Sequence, residues 1–373
     1  MIYLDNAATT WPKPPQVLRA AAGVMAQPFG NPGRGGHKAA LRAGRVADAC
    51  REAVADLLGG APERVIFTLN CTDALNLAIR GLLHRGDHVL VTHDAHNAVM
   101  RPLAGLEDRG EITLSVLRAD EKGLLSPESI SEAVGPATSL CILTHASNVT
   151  GTVQPVAELI AAAHGYGIPV LLDAAQSAGT LDLKTTGADL LAMPGHKGLL
   201  GPMGTGVLYV GEQVSPRPLR EGGTGSASES VHQPDILPDR YESGTLQLPA
   251  IAGLLQGVRF VRTHGAEIHE YETYLIDRLR SRLSAMPEVT VYGAGDTPHV
   301  GVLSFNLRGR ECAEVADLLD QRGFCLRGGL HCAPCMHRWL GTQGTVRASV
   351  GPFSTEAEID SLGDAIGQIL QEK

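Results

Sequence analysis

The chain has 373 residues, of which 43% are hydrophobic and 19% charged, a composition typical of a globular protein and not of a disordered one. Its length favours two packed lobes that share a cleft. A formal net charge of -9 and an aromatic content of 4% argue against nucleic acid as a partner. No apolar run approaches the roughly 20 residues of a membrane span, and the N-terminus MIYLDNAATT lacks a signal pattern. We therefore expect a cytoplasmic protein without a membrane partner.

Short β-rich runs alternate with amphipathic segments over the first two thirds of the chain. The predicted strands, in chain order, are 64–68, 87–92, 139–144, 169–173, 188–193 and 206–210. The predicted helices between them are 72–83, 97–110 and 156–167. This alternation predicts an α/β fold with βα units and a mostly parallel sheet covered by helices.

The pattern changes after Tyr241 and predicts a second, smaller α+β lobe. Its predicted elements are a long helix from about 249 to 286, strands at 289–293 and 301–307, and a helix at 311–323. The stretch 215–239, rich in Gly, Ser and Pro, indicates a long loop. We expect three parts, namely an N-terminal arm joining the small lobe (1–15), a large domain (16–248) and a small C-terminal domain (249–373).

Two neighbouring predicted strands lead into residues that can do chemistry. The first ends in Asp173, with Gln176 three residues later; such an acid points into the crevice where α/β sheets bind ligands, although a helix N-cap is the alternative. The second runs into PGHKG, which puts Lys197 at the same sheet edge. Lysine forms Schiff bases with carbonyl cofactors, and an acid keeps a pyridine nitrogen protonated. The pair predicts a pyridoxal 5'-phosphate (PLP) site. A P-loop is excluded because His196 precedes the lysine and no Ser or Thr follows it.

A phosphate group needs donors, and the turn at residues 70–73 can supply them. It lies between a predicted strand and an amphipathic helix, where backbone amides and the helix dipole bind phosphate. Ordinary helix caps look the same, so this signal is weak without the lysine and the aspartate.

Seven cysteines are scattered along the chain, which indicates free thiols in a reducing compartment rather than a disulfide framework. Cys50 and Cys141 lie in apolar segments and are expected to be small buried hydrophobic side chains.

The C-terminal segment RGGLHCAPCMH (327–337) contains Cys332 directly after a histidine in a Gly-rich loop. Glycine flexibility and an adjacent imidazole suit a mobile, ionisable thiol nucleophile. Zinc or iron ligation by Cys325, Cys332, Cys335 and His337 is an alternative, but a second CxxC pair is missing, so we expect no metal.

Ordered motifs over nearly the whole chain resemble the cysteine desulfurase branch of the class V aminotransferase family. The motifs are YLDNAATT (3–10), NPGRGGH (31–37), CTDALNLAI (71–79), AHNAVMRP (95–102), SNVTGTVQP (147–155), LLDAAQSAG (171–179), GHKGLLGPMGTG (195–206), YESGT (241–245), HCAP and VRAS. The resemblance implies the architecture of fold-type I PLP enzymes. It further implies a large domain with a mostly parallel seven-stranded sheet flanked by helices, and a smaller α+β C-terminal domain with the catalytic cysteine.

The resemblance also implies the residues that bind PLP, which are Cys71, Thr72, His96, Asp173, Gln176, His196, Lys197 and Thr245. Lys197 carries the cofactor as a Schiff base, Asp173 pairs with the pyridine nitrogen and Gln176 contacts the phenolic oxygen. His96 stacks on the ring, and Thr245 reaches the phosphate from the neighbouring subunit of a homodimer. Asn148 and Arg347 receive the substrate, the arginine by bidentate pairing with a carboxylate.

The implied reaction converts L-cysteine to L-alanine and leaves the sulfur on Cys332 as a persulfide. Lys197, Cys332 and His96 are the implied catalytic residues, with Lys197 as the base at the α-carbon. The sulfur then passes to an acceptor protein, as in iron–sulfur cluster assembly. Cys332 lies 15 positions before Arg347, which resembles the short-loop members that hand sulfur to a partner.

Five positions depart from the family pattern, and they are Cys71, Ala95, Pro194, Gln247 and Cys335. The last adds a thiol three residues after the nucleophile. It could resolve the persulfide or form a disulfide with Cys332, or it could be an incidental loop cysteine. The other four alter expected cofactor contacts, but backbone amides can still hold the phosphate.

Other reactions on the same scaffold stay open from the sequence. They include cleavage of L-selenocysteine, transamination and epimerisation, all with PLP on Lys197. Cys332 argues against the last two, which need no thiol. A non-catalytic PLP-fold or metal-binding scaffold is a further alternative. It would not need Lys197, Asp173 and Arg347, and the sequence keeps all three.

Overall fold

A computed structural model describes residues 1–33, 35–293 and 295–372. Arg34 of the NPGRGGH motif, and Ala294 and Lys373 of the predicted small domain, lie outside the described residues. The helices are α1 (Pro15–Met25), α2 (Lys38–Leu58), α3 (Cys71–Leu82), α4 (Asn97–Glu107), α5 (Pro127–Ala133), α6 (Val156–Gly165), α7 (Leu248–Ser284), α8 (Cys312–Asp320), α9 (Pro334–Trp339) and α10 (Glu356–Gln371). The strands are β1 (Ile2–Tyr3), β2 (Val65–Thr68), β3 (Asp87–Val91), β4 (Ile112–Val116), β5 (Thr138–Thr144), β6 (Val170–Asp173), β7 (Leu190–Pro194), β8 (Gly206–Val210), β9 (Val289–Tyr292), β10 (Val302–Leu307), β11 (Phe324–Cys325), β12 (Arg327–Gly329) and β13 (Thr345–Ser349).

The large sheet has seven strands in the order β2-β8-β7-β6-β5-β3-β4. Strands β4, β3, β5, β6 and β7 run parallel, and β8 is antiparallel to both β7 and β2. The prediction of a mostly parallel, seven-stranded fold-type I sheet is confirmed. Strand β4 was not predicted; its alternating pattern ends in Val116, which is 47% exposed. Parallel order brings the carboxyl ends of β5, β6 and β7 to one edge, where ligands bind in such sheets.

Both faces of this sheet are covered, because consecutive strand residues point to opposite sides. Leu172 lies in a core formed with helices α2, α6 and α7, while Leu171 lies in a core formed with α3 and α4. Cys50 and Cys141 are both fully buried in the first core, as predicted, and burial raises the pKa of each thiol to about 12. A sheet buried on both faces explains the continuous apolar strands of the sequence.

The smaller lobe is built on an antiparallel sheet of order β12-β13-β10-β9. Its core contains residues from α8, α10 and the C-terminal part of α7. The N-terminal strand β1 pairs in parallel with β11, and residues 211–247, all of them described, contain neither helix nor strand, as predicted for 215–239. The boundaries at 15 and 248 stay a prediction. In the described part of the chain, no helix combines the length and apolar character needed to cross a membrane.

Candidate active site

Asp173 and Lys197 come from the ends of the adjacent strands β6 and β7, where Asp173 pairs with Ala192. Asp173 is 3% exposed. Its Oδ1 accepts a 3.0 Å hydrogen bond from the Ala175 amide and lies 3.8 Å from Cys71 Sγ. Residues 174–180 contain turns and an isolated bridge at Ala178 but no helix, so the alternative interpretation of Asp173 as a helix N-cap is wrong.

Burial changes the protonation of both groups in opposite directions. It raises the pKa of the Asp173 carboxyl, while the Ala175 amide and the Lys197 charge work against the rise. Loss of solvent lowers the pKa of the Lys197 amine. A buried carboxylate with a raised pKa is stabilised by a cationic partner, and the protonated nitrogen of a pyridine ring is such a partner.

A cavity opens beside these two residues. Eight predicted site residues line it, namely Cys71, Thr72, His96, Asn148, Asp173, Gln176, His196 and Lys197. Three others do not. Thr245 lies elsewhere and accepts a 3.4 Å hydrogen bond from Asn31, while Cys332 and Arg347 belong to the small lobe.

The N-terminus of α3 forms one end of this cavity. Asn70 caps the helix by accepting a 2.9 Å hydrogen bond from the Asp73 amide. The backbone amides of Cys71 and Thr72, in the first turn, have no acceptor within the helix itself. Nearby, the buried Nδ1 of His196 has no hydrogen-bond partner among the described residues, and its pKa is lowered to about 4, mainly by burial. Unsatisfied groups at a 12-residue helix N-terminus fit a phosphate.

Two glycines fix the turns that carry Gln176 and Lys197. A Cβ on Gly198 would lie 2.3 Å from the Ala178 carbonyl oxygen, and one on Gly179, whose φ is +96°, would lie 2.4 Å from the Gly198 oxygen. Since real Cβ atoms do not approach so closely, the two turns pack together only as glycines.

His96 caps α4, and its Nδ1 accepts a 3.0 Å hydrogen bond from the Ala98 amide. Burial lowers its pKa to about 4, and the positive charges of Lys197, Arg347 and Arg101 act in the same direction. The ring is therefore neutral at physiological pH, and it lines the cavity as an uncharged aromatic group.

The Cys332 loop is a tight turn in which the Ala333 amide donates to the Leu330 carbonyl at 2.8 Å. The two central residues, His331 and Cys332, have φ of +48° and +57°. Left-handed backbone costs about 1–2 kcal/mol for each residue other than glycine. Strain of this kind persists only where surrounding contacts hold the backbone in place. The side chain of Cys332 is exposed.

Two hydrogen bonds hold this turn against the cavity wall. The Asn148 side chain donates to the His331 carbonyl at 2.7 Å, and the Asn97 amide donates to the Cys332 carbonyl at 2.7 Å. The buried His331 ring adds a third anchor, because its Nε2 lies 3.0 Å from the Thr345 carbonyl. The burial of this ring lowers its pKa to about 2, so Nε2 is the protonated donor of a neutral imidazole.

Arg347, on β13, is only 2% exposed. Nη1 donates to the Asn148 carbonyl at 3.0 Å and Nη2 to Asp5 Oδ1 at 2.8 Å. Asp5 also pairs with Arg327 at 3.3 Å. The predicted substrate residues Asn148 and Arg347 are thus adjacent, and they connect the large lobe to the small one.

Two residues of this arrangement received no role from the sequence. Asp5 belongs to the YLDNAATT motif, but only the fold brings it to Arg347. Asn97 acts through its backbone amide, which no residue type signals. Among residues 1–33, 35–293 and 295–372, no group of three or more His, Cys, Asp and Glu side chains is arranged to hold a metal ion.

The fold and the cavity define a class of protein, the fold-type I PLP-dependent enzymes. The chain belongs to the aminotransferase class-V family, whose model matches residues 2–362.

Individual relatives agree with this assignment. A probable cysteine desulfurase of Methanothermobacter thermautotrophicus is 37% identical over 99% of this chain and 94% of the relative. A cysteine desulfurase of Cronobacter sakazakii is 32% identical over 97% and 91% of the two chains. The apo structure of a cysteine desulfurase from Thermococcus onnurineus superimposes with a TM-score of 0.93 at 31% identity, covering 99% of this chain and 94% of the other.

Proposed function

We propose that this protein is a PLP-dependent cysteine desulfurase that converts L-cysteine to L-alanine and transfers the sulfur to Cys332. The observation that carries the proposal is the pair of hydrogen bonds from Asn97 and Asn148 to the Cys332 turn. They tie an exposed thiol to the wall of a cavity lined by Lys197 and Asp173. Aminotransferases and epimerases need no such thiol, and the relatives described above are named cysteine desulfurases.

PLP, when bound, supplies an electron sink for the carbanion at the substrate α-carbon. Lys197 would hold its aldehyde carbon and Asp173 its pyridine nitrogen, while Gln176 would contact the phenolic oxygen. Cys71, Thr72 and His196 would hold the phosphate, with Thr245 supplied by the partner subunit of a homodimer. His96 would stack on the ring as a neutral imidazole.

Lys197 suits the role of base at the α-carbon. Its amine loses solvent in the cavity, which lowers its pKa and favours the neutral form that can accept a proton. The amine accepts the α-proton of the bound amino acid and can return a proton to the carbon skeleton after the sulfur has left.

Arg347 and Asn148 bind the amino-acid head. The guanidinium has five N–H donors, and the described part of the chain accepts one hydrogen bond from Nη1 and one from Nη2. The rest can pair with a carboxylate, and burial strengthens such a pair because water does not compete.

Cys332 then attacks the sulfur of the substrate as a thiolate. A sulfur–sulfur bond forms, the carbon–sulfur bond breaks, and its electron pair stays with the carbon skeleton. The products are alanine and a persulfide on Cys332, from which an acceptor protein takes the outer sulfur. We place this reaction in the cytoplasm.

The test compares two variants of the PLP-loaded protein incubated with L-cysteine and a reductant. Lys197→Ala should lose the absorbance of the lysine-bound cofactor and form no alanine. Cys332→Ala should keep that absorbance but release no sulfide. An undiminished rate of sulfide release in Cys332→Ala would overturn the proposal.

A further inference from the structure

The segment after the nucleophile holds a second thiol, Cys335, on the first turn of α9. The helix is fixed by its inner side, where Met336 and His337 are 2% and 1% exposed. Cys335 lies on the outer side and is partly exposed. A fixed, accessible thiol therefore stands three residues after an exposed one.

Arg338 gives this thiol a reactive environment. Its Nη2 donates a hydrogen bond to Cys335 Sγ at 3.0 Å. Reactive cysteines are found in partly exposed positions beside a cationic donor, whereas inert ones lie in apolar surroundings. Cys50 and Cys141 are of the second kind, since both are fully buried.

The chain between the two thiols is short. Cys332 and Cys335 are separated by Ala333 and Pro334, so their Cα atoms are at most about 11 Å apart, and a disulfide requires roughly 4.4–6.8 Å. Cys332 also occupies strained left-handed backbone, with a φ of +57°. Release of this strain lowers the cost of turning the sulfur towards α9.

We propose that Cys335 is a resolving thiol for the Cys332 persulfide. This inference rests on the proposed function, which supplies the persulfide. The Cys335 thiolate attacks the inner sulfur, the one bonded to Cys332 Cβ, and the outer sulfur leaves as hydrosulfide with the electron pair of the broken sulfur–sulfur bond. The persulfide is the oxidant, the outer sulfur is reduced, and the Cys332–Cys335 disulfide is the oxidised product.

The step has a clear functional consequence. A subunit can release its sulfur as hydrosulfide without an acceptor protein, but it is then blocked until a dithiol reductant reopens the disulfide. The dithiol acts on the Cys332–Cys335 disulfide. Thiols readily reduce disulfides that are strained or exposed.

The experiment is a single turnover of the reduced, PLP-loaded full chain. It receives one equivalent of L-cysteine per subunit, with no added reductant and no acceptor, followed by alkylation and mass analysis of the peptide that contains residues 332 and 335. We expect one alanine and one hydrosulfide per subunit, and a peptide that has lost two hydrogen atoms and resists alkylation. Cys335→Ala should form one alanine, release no hydrosulfide and keep an extra sulfur atom on Cys332.

Two further outcomes separate this inference from the proposed function. If the unmodified protein forms alanine but keeps the extra sulfur on Cys332, as expected of Cys335→Ala, the resolving role is wrong while the desulfurase survives. If no alanine forms, both are wrong. Cys325→Ser removes a thiol outside this pair and should behave like the unmodified protein.

Discussion

The backbone amide of Asn97 donates a 2.7 Å hydrogen bond to the carbonyl oxygen of Cys332. Asn97 is the first residue of α4 and directly follows His96 on the cavity wall. The element proposed to carry the ring-stacking histidine therefore also holds the loop with the proposed sulfur acceptor. Because only the main chain takes part, ordinary substitutions at position 97 leave this bond in place.

Proline at position 97 should remove the bond selectively. It lacks the N–H but is tolerated as the first residue of a helix, and His96 already has the extended backbone that precedes proline, with ψ of 155°. We expect Asn97→Pro to keep the cofactor absorbance while alanine formation falls roughly 10- to 100-fold, because the thiol is held less accurately. Asn97→Ala keeps the amide and should stay within about twofold of the parent rate. Equal rates in the two variants would show that the bond has no part in the reaction.

Arg347→Lys should lower kcat/KM for L-cysteine roughly 100-fold while the cofactor absorbance stays unchanged. Lysine keeps the charge but cannot hold Asn148, Asp5 and a carboxylate with one planar group. Arg327→Lys is the matched control, since Arg327 pairs with the same Asp5 but its side chain is 46% exposed. Steady-state kinetics of both variants check this, and a similar loss in both would assign the effect to Asp5 rather than to the substrate.

Glu272 of α7 should make the protein less stable as the pH rises. It is 9% exposed and lines a second cavity that also reaches Lys197. Burial raises its pKa to about 8. Between about pH 4.5 and 8 the folded chain holds one proton more than the unfolded chain, so the unfolding free energy falls by up to about 1.4 kcal/mol per pH unit.

Glu272→Gln removes this dependence. Chemical denaturation should be measured from pH 5 to 9. The unfolding free energy of Glu272→Gln, relative to that of the parent, should rise with pH and become constant above about pH 8. The exposed Glu270→Gln on the same helix is the control and should run parallel to the parent. If the unfolding free energies of Glu272→Gln and the parent instead changed with pH in parallel, the raised pKa of Glu272 would be contradicted.

His145 should make the protein less stable as the pH falls. It is 5% exposed, and burial lowers its pKa to about 4. Between about pH 6.5 and 4 the unfolded chain binds a proton at this histidine that the folded chain does not bind. The free energy of unfolding therefore falls as the pH falls. His145→Gln should reduce the slope by up to about 1.4 kcal/mol per pH unit, whereas the exposed His232→Gln should not. Denaturation curves at pH 4.5, 5.5 and 6.5 measure this, and an unchanged slope would contradict it.

The sequence predicted the parts of the site that depend on strand ends and helix starts. Asp173 and Lys197 follow apolar strands, and Asn70 precedes an amphipathic helix, so local patterns locate all three. Their common edge follows from the parallel order of β6 and β7.

Other features depend on contacts between distant parts of the chain. Glu272 lies in a helix where its neighbour Glu270 is exposed, and only packing against Gly301 shows which carboxylate is buried. The Arg347–Asp5 pair joins residues 342 positions apart. Continuous apolar runs mark the central strands but not β4, because residues 112–116 of this edge strand alternate between apolar and polar.

Helix α7 has 37 residues and is therefore roughly 55 Å long. Its N-terminal part, with Leu254 and Val258, belongs to the core of the large sheet, and its C-terminal part, with Leu275 and Leu279, belongs to the core of the small one. Neither lobe can lose this helix without opening the other core. Heat or denaturant should consequently melt both lobes in one cooperative transition, and neither lobe should persist as an independent folding unit when the chain is cut within α7.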